Sequence, residues 1–131
     1  MIRQVVLDTE TTGLDPSTGH RIIEIGCLEM IDRRLSNRTF HVYMNPQRLV
    51  DPEAFKVHGI SDLFLQDKPL FSEVANDFLE FIHDSELIIH NAPFDVKFID
   101  AEFKRYDPTI EPIASFCRIT DTLDIARKKH P

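Results

Sequence analysis

This sequence of 131 residues lacks the features that mark secreted and membrane-spanning proteins. Its only two cysteines, Cys27 and Cys117, are ninety residues apart, which excludes a disulfide framework and cysteine-based metal spacing. Both are expected to be small core residues. No charged N-terminal segment precedes a long apolar stretch, and no uncharged apolar run approaches the ~20 residues of a membrane span. We therefore expect a soluble, cytoplasmic protein.

An excess of positive charge is also missing. Fifteen Lys and Arg residues against 22 Asp and Glu residues give a formal net charge of −7, which argues against a broad basic face for nucleic acid. A nuclease is not excluded, because carboxylates that hold metal ions count as negative and the ions can meet phosphate. With four glycines, no repeat and no low-complexity tract, the chain is expected to form one domain.

Apolar patterning predicts an α/β fold. Four segments have strand character, over residues 4–8, 21–30, 39–44 and 86–90. The second and third alternate apolar with polar residues, as half-buried antiparallel strands do, and the polar residues 31–38 suit a hairpin connection. The order of the elements predicts a mixed sheet whose first three strands form a meander.

Helical periodicity predicts three helices, over residues 71–82, 93–106 and 120–129. Ser72 is the expected N-cap of the first helix. Pro93 suits the first turn of the second helix, and Thr120 or Asp121 is expected to cap the third.

Two carboxylates, Asp8 and Glu10, lie in the string DTETTG (residues 8–13) directly after the apolar run Val5-Val6-Leu7. Residues two apart on a strand point to the same face, so both acids can reach one point in space. Paired acids repel each other unless something positive lies between them, and a divalent cation with a preference for oxygen ligands is the natural candidate. The alternative is that both acids are solvated at a strand edge.

A third acid, Asp95, follows the fourth predicted strand in the string HNAPFDVKFID (residues 90–100). It would lie in the first turn of the following helix, where α/β sheets usually place their sites. If that strand lies beside the first one, Asp95 can join Asp8 and Glu10. By itself, Asp95 can equally be an acid that complements a helix dipole.

Together, DTETTG and HNAPFDVKFID resemble the first two motifs of the DEDD 3′–5′ exonucleases, in particular the proofreading (epsilon) subunits of bacterial DNA polymerase III. The resemblance covers nearly the whole chain and includes the strings RIIEIG, NRTFHVYMNP and RLVDPEAFKVHGI. It implies an α/β, ribonuclease H-like fold with a central mixed five-stranded sheet flanked by helices.

The resemblance also implies two divalent metal ions, Mg²⁺ or Mn²⁺, at the site. Asp8 would bridge both ions, Glu10 would hold one and Asp95 the other, and these three acids would be the catalytic residues. Glu53 and His58 resemble positions that contact the terminal nucleotide, next to Asp8 and Glu10. As alternatives, Glu53 is a first-turn acid of a helix, and His58 belongs to a loop that only packs.

One part of the family pattern is missing. A third motif, a histidine followed five residues later by an aspartate, should come well after the second. After Asp95 the sequence offers only His130, with no aspartate behind it. We therefore expect residues 1–131 to be one exonuclease domain, incomplete at its C-terminus, without the polymerase-binding tail and nearly inactive by itself.

The function that the resemblance implies is proofreading during DNA replication, in which mispaired 3′-terminal nucleotides are removed by two-metal-ion hydrolysis. The implied partners are single-stranded or frayed DNA 3′ ends, the polymerase III subunits alpha and theta, and the sliding clamp. One alternative is an RNA-trimming 3′–5′ exoribonuclease of the same superfamily. Another is a non-catalytic docking module, against which the three acids count, since a docking scaffold does not need them.

Overall fold

A single mixed sheet organises the part of the chain that the computed structural model describes, residues 1–129. The strands are β1 (Arg3–Thr11), β2 (Ile22–Ile31), β3 (Arg34–Tyr43), β4 (Glu86–Ile89) and β5 (Arg118–Asp121). They lie in the order β3-β2-β1-β4-β5. The first three pair antiparallel, whereas β4 pairs in parallel with both β1 and β5. The predicted five-stranded mixed sheet and its initial meander are confirmed.

The hairpin between β2 and β3 is tighter than predicted. Its turn consists of Asp32 and Arg33, which have φ angles of 48° and 69°. Positive φ at both central residues is the geometry of a two-residue turn that matches the twist of the strands. Most of the predicted connection, residues 31–38, is therefore strand. The prediction was wrong because β3 is largely exposed there, so polar residues do not interrupt it.

Five α-helices accompany the sheet in the described chain: α1 (Pro52–His58), α2 (Asp62–Leu65), α3 (Phe71–Ile82), α4 (Ala92–Tyr106) and α5 (Thr122–Lys129). The positions of α3 and α4 confirm the periodicity argument. Ser72 is not the N-cap of α3, because the cap is Leu70, which makes no side-chain cap bond. The helix begins two residues earlier than a Ser72 cap would place it, with its first residue, Phe71, buried in the core. No helix within residues 1–129 is long and apolar enough to cross a membrane.

The third predicted helix begins later than expected. Thr120 and Asp121 belong to β5, which pairs with β4. Asp121 nevertheless accepts a hydrogen bond from the backbone N–H of Leu123 at 3.0 Å, so it acts on the first turn of α5 as a capping residue does. A four-residue strand whose residues are all exposed or half-buried lacks the alternation that would reveal it in the sequence.

The core lies where α3 and α4 pack against the sheet. Its aromatic centre is formed by Phe71, Phe78 and Phe103, with Phe78 and Phe103 stacked at a ring-centroid distance of 5.6 Å. Stacked and edge-to-face pairs of this kind add to the free energy gained by burial. Cys27 and Cys117 are both free and buried, as predicted.

A buried ion pair fixes α4 against β2. Glu102 of α4 is 2 % exposed and accepts hydrogen bonds from Arg21, with Nη2 to Oε1 at 2.7 Å. Its Oε2 also accepts from the backbone N–H of Ile22 at 2.9 Å. Because a buried charge is tolerated only with its partners in place, this contact holds the helix in one position on the sheet.

We expect Arg21→Met to destabilise the fold, because Glu102 would stay buried without its counter-ion. Removal of one partner from a buried pair costs about 3–5 kcal/mol in the free energy of unfolding. Urea denaturation measures the change. As a control, Lys56→Met breaks an exposed pair between Lys56 and Glu53, whose N–O distance is 3.1 Å, and should leave the unfolding midpoint almost unchanged. Equal losses in both variants would contradict the role of the buried pair.

Candidate functional site

The two acids of the first motif lie on one face near the end of β1. The strand alternates in burial: Leu7 and Thr9 are buried, whereas Asp8 is exposed and Glu10 half-buried. Across the antiparallel ladder, Asp8 lies opposite Gly26 and Glu10 lies opposite Glu24. The predicted shared face of Asp8 and Glu10 is therefore confirmed.

Asp95 reaches the same strand from the neighbouring element. Since β4 lies parallel to β1 and pairs with it as far as Val6, its carboxyl end leads into α4 beside the second half of β1. Asn91 makes this connection in the left-handed conformation, with φ of 63°. Asp95 lies in the first turn of α4, is 4 % exposed, and accepts a hydrogen bond from Thr9 Oγ1 at 2.7 Å. The helix thus carries the third acid to the residue between the other two.

The acids of this region raise one another's pKa values. The pKa of Asp95 is raised to about 7, chiefly by burial and to a smaller extent by the charges of Asp8 and Glu10, while the Thr9 hydrogen bond opposes the rise. The pKa of Glu10 is also raised, by burial and then by Asp8. A divalent cation would relieve this repulsion, and the oxygen-only donor set fits Mg²⁺ or Mn²⁺.

The three acids do not form a complete metal site in the described part of the chain. Within residues 1–129, no group of three or more His, Cys, Asp or Glu side chains is arranged to hold a metal ion. Asp95 is held by Thr9, the residue between Asp8 and Glu10 on β1, and not by a contact with either of these acids. The assignment of metal ligands therefore stays a prediction.

His58, at the end of α1, is held by backbone groups on both sides of its ring. Its Nδ1 accepts from the N–H of Ile60 at 3.0 Å, so Nε2 carries the proton and donates to the carbonyl oxygen of Thr11 at 3.0 Å. His58 is thereby tied to the end of β1. Glu53 lies in the first turn of α1, as the alternative interpretation predicts. Within the described residues its carboxylate pairs with Lys56.

Sequence reasoning missed Thr9, although a signal was present. In a strand with exposed acids at alternate positions, the residue between them faces the core, and a buried threonine hydroxyl needs a partner. His130, the one histidine that follows Asp95, lies outside the described residues.

Comparison with known proteins decides the family. A family model described as exonuclease matches residues 5–131. The chain belongs to this exonuclease family. Its fold agrees: exonuclease I superposes with a TM-score of 0.85 at 19% identity, over 98% of this chain and 30% of that one. A zinc-bound complex of E. coli exonuclease I with single-stranded DNA gives a TM-score of 0.86 at 19% identity, over 98% and 29%. The chain therefore has the predicted ribonuclease H-like fold.

Curated relatives of this chain are more similar in sequence. It is 54% identical over 133 residues to the DNA polymerase III subunit epsilon of Escherichia coli (strain K12), which covers 98% of the chain and 55% of that protein. The same subunit of Rickettsia conorii is 53% identical over 130 residues, covering 99% and 56%. The chain thus spans about half the length of the curated relatives it matches.

In the presence of a chelator, we expect the contribution of Asp95 to the stability of this protein to fall as the pH rises from about 4 to about 7. The raised pKa of Asp95 means that the folded state binds its proton more tightly than the unfolded state does. The contribution of this proton to the free energy of unfolding is complete below the ordinary pKa of an aspartate and disappears as the pH passes through about 7. Asp95→Asn should flatten the profile, measured by urea unfolding across the range.

Asp77→Asn serves as the matched control, because Asp77 is an exposed acid of α3. It should keep the slope of the parent protein. If Asp95→Asn also kept that slope, Asp95 would not be the group whose proton stabilises the fold.

Proposed function

We propose that this exonuclease works as the epsilon subunit of a bacterial DNA polymerase III and removes mispaired nucleotides from DNA 3′ ends during replication. The observation that carries the proposal is the placement of Asp95 against Thr9, between the two acids of β1. Identity of 54% to the E. coli epsilon subunit across 98% of the chain supports it.

The proposed ligand roles are distinct. Asp8 would bridge two divalent ions, Glu10 would bind one and Asp95 the other. Such ions lower the pKa of an attacking water and balance the charge of the departing 3′ oxygen in phosphodiester hydrolysis. The chain's own contribution is to hold the ligands: Thr9 fixes one oxygen of Asp95 and leaves the other unengaged by this bond. Mg²⁺ is the proposed physiological ion, with Mn²⁺ as a substitute.

The proposed substrate is a single-stranded or frayed DNA 3′ end, because an unpaired terminal base costs less to draw into a site than a paired one. His58 and Glu53 would contact the terminal nucleotide. The net charge of −7 agrees with a site that meets phosphate through cations instead of a basic surface. The proposed partners are the alpha and theta subunits of the polymerase core and the sliding clamp, in the cytoplasm.

We expect Asp8→Asn in the complete protein to lower the release of 3′ mononucleotides by at least about 100-fold, since one acid would serve both ions. The assay follows a 5′-labelled oligonucleotide with a mismatched 3′ end. Calorimetry should show weaker Mn²⁺ binding by the same variant. Asp77→Asn, which changes an exposed acid of α3, should match the parent in both measurements. Activity within about tenfold of the parent would reject the two-ion assignment.

Substrate choice separates the candidate functions. The complete protein should shorten linear DNA from its 3′ end and leave a circular single strand intact, because only a free terminus can enter the site. A strong preference for RNA over DNA of the same sequence would favour an RNA-trimming enzyme. Binding of partners without any hydrolysis would favour a docking module.

His58→Ala should slow the removal of terminal nucleotides while leaving Mn²⁺ affinity close to the parent value. Both ring nitrogens of His58 are engaged by the backbone, so neither is free to bind an ion. His83→Ala, at an exposed histidine after α3, provides the control. A large loss of metal affinity in His58→Ala would make this residue a ligand and overturn its proposed role.

A further inference from the structure

The N-cap position of α1 is occupied by an acid that does not cap. Asp51 precedes the helix and makes no side-chain cap hydrogen bond, although aspartate is among the best capping residues. Its carboxylate instead approaches His20, with Nε2 to Oδ2 at 3.3 Å, and Arg48, with Nη2 to Oδ1 at 3.8 Å. The chain thus uses this side chain for a contact outside the helix.

The other nitrogen of His20 contacts the first motif. Thr12 is fully buried, and its Oγ1 accepts a hydrogen bond from the N–H of Arg21 at 3.0 Å. The hydroxyl proton of Thr12 is therefore available to His20 Nδ1, 2.9 Å away. With Nδ1 as acceptor, the ring proton lies on Nε2 and points toward Asp51. The histidine side chain is 12% exposed and joins two segments that are distant in sequence.

Gly13 provides the space for this ring. A Cβ atom at position 13 would overlap the Nδ1, Cε1 and Nε2 atoms of His20. The glycine that ends DTETTG is therefore required by the close approach of the histidine, at a position with no positive φ. A backbone hydrogen bond from Asp51 N–H to the Thr12 carbonyl, at 2.9 Å, runs beside the side-chain link.

We propose that His20 is a positioning residue that couples the turn after β1 to the start of α1. Through this link it sets the distance between the acids of β1 and the helix that carries Glu53 and His58. The consequence for DNA rests on the proposed function, because it assumes that α1 contacts the terminal nucleotide. The link itself does not depend on that assumption.

Two substitutions separate the two bonds of the ring. In His20→Asn, the side-chain oxygen can replace Nδ1 toward Thr12, but the side chain is too short to reach Asp51. In His20→Gln, the amide N–H extends to the position of Nε2 and can still donate to Asp51. The backbone at position 20 stays tied to the turn in this variant, because Arg21 N–H still donates to Thr12 Oγ1 and Thr12 N–H to the Arg21 carbonyl. His83→Asn is the matched control, because it makes the same change at an exposed histidine after α3.

Amide hydrogen exchange of Phe55–Gly59 in the complete protein measures the link directly. We expect His20→Asn to accelerate this exchange about tenfold, while His20→Gln and His83→Asn stay within about twofold of the parent. Unchanged exchange in His20→Asn, or equal acceleration in His20→Asn and His20→Gln, would overturn the proposal.

Kinetics test the consequence for substrate. With a 3′-mismatched oligonucleotide, His20→Asn should raise KM about tenfold and leave kcat within about twofold, because the acids themselves are untouched. A merely structural defect would lower the active fraction, and thus kcat, without this change in KM. A fall in kcat at constant KM would overturn the positioning role. If the parent hydrolysed no DNA, the proposed function would fail, and the exchange of α1 would still decide whether His20 holds the helix.

Discussion

The contact between Glu102 and Arg21 is the constraint on which the arrangement of the site depends. A carboxylate that is almost fully buried in α4 has its charge balanced by one guanidinium and one backbone N–H at the start of β2. Sliding the helix along the sheet would break these bonds inside the protein, where no water replaces them. The same helix begins with the turn that contains Asp95. The ion pair therefore fixes, two turns away, the position at which the third acid meets β1.

The acids of the site lower the stability of the fold when they are ionised. Burial and mutual repulsion raise the pKa values of Asp95 and Glu10, so both acids would be more stable as ions in water. A protein selected for stability alone would have no reason to gather such groups at the end of a strand. Acids with raised pKa values are characteristic of functional sites, and a bound cation would lower these pKa values instead. Thr9 supplies a neutral hydrogen bond that holds Asp95 in place.

Sequence patterns predicted the elements whose burial is periodic. The apolar stripe of α3 and the alternation of β2 follow directly from one buried face, so both were found. The helix α1 has no buried residue, and the four residues of β5 are exposed or half-buried, so neither has a stripe to detect. Both depend on partners far along the chain: β5 on its pairing with β4, and α1 on contacts of its ends with the turn after β1.

By itself, the sequence determined the chemistry of this protein: two acids on one face of a strand, a third in the first turn of a helix, and the strings that resemble an exonuclease. Only the tertiary structure decided how these groups meet. In that structure, Asp95 accepts a hydrogen bond from Thr9, and both ring nitrogens of His58 bond to backbone groups. The Asp51 carboxylate lies near His20 instead of capping its own helix. The physical reason is that local patterns record which side of an element is buried. Which partner a buried polar group finds depends on elements separated by tens of residues, and only packing brings them together.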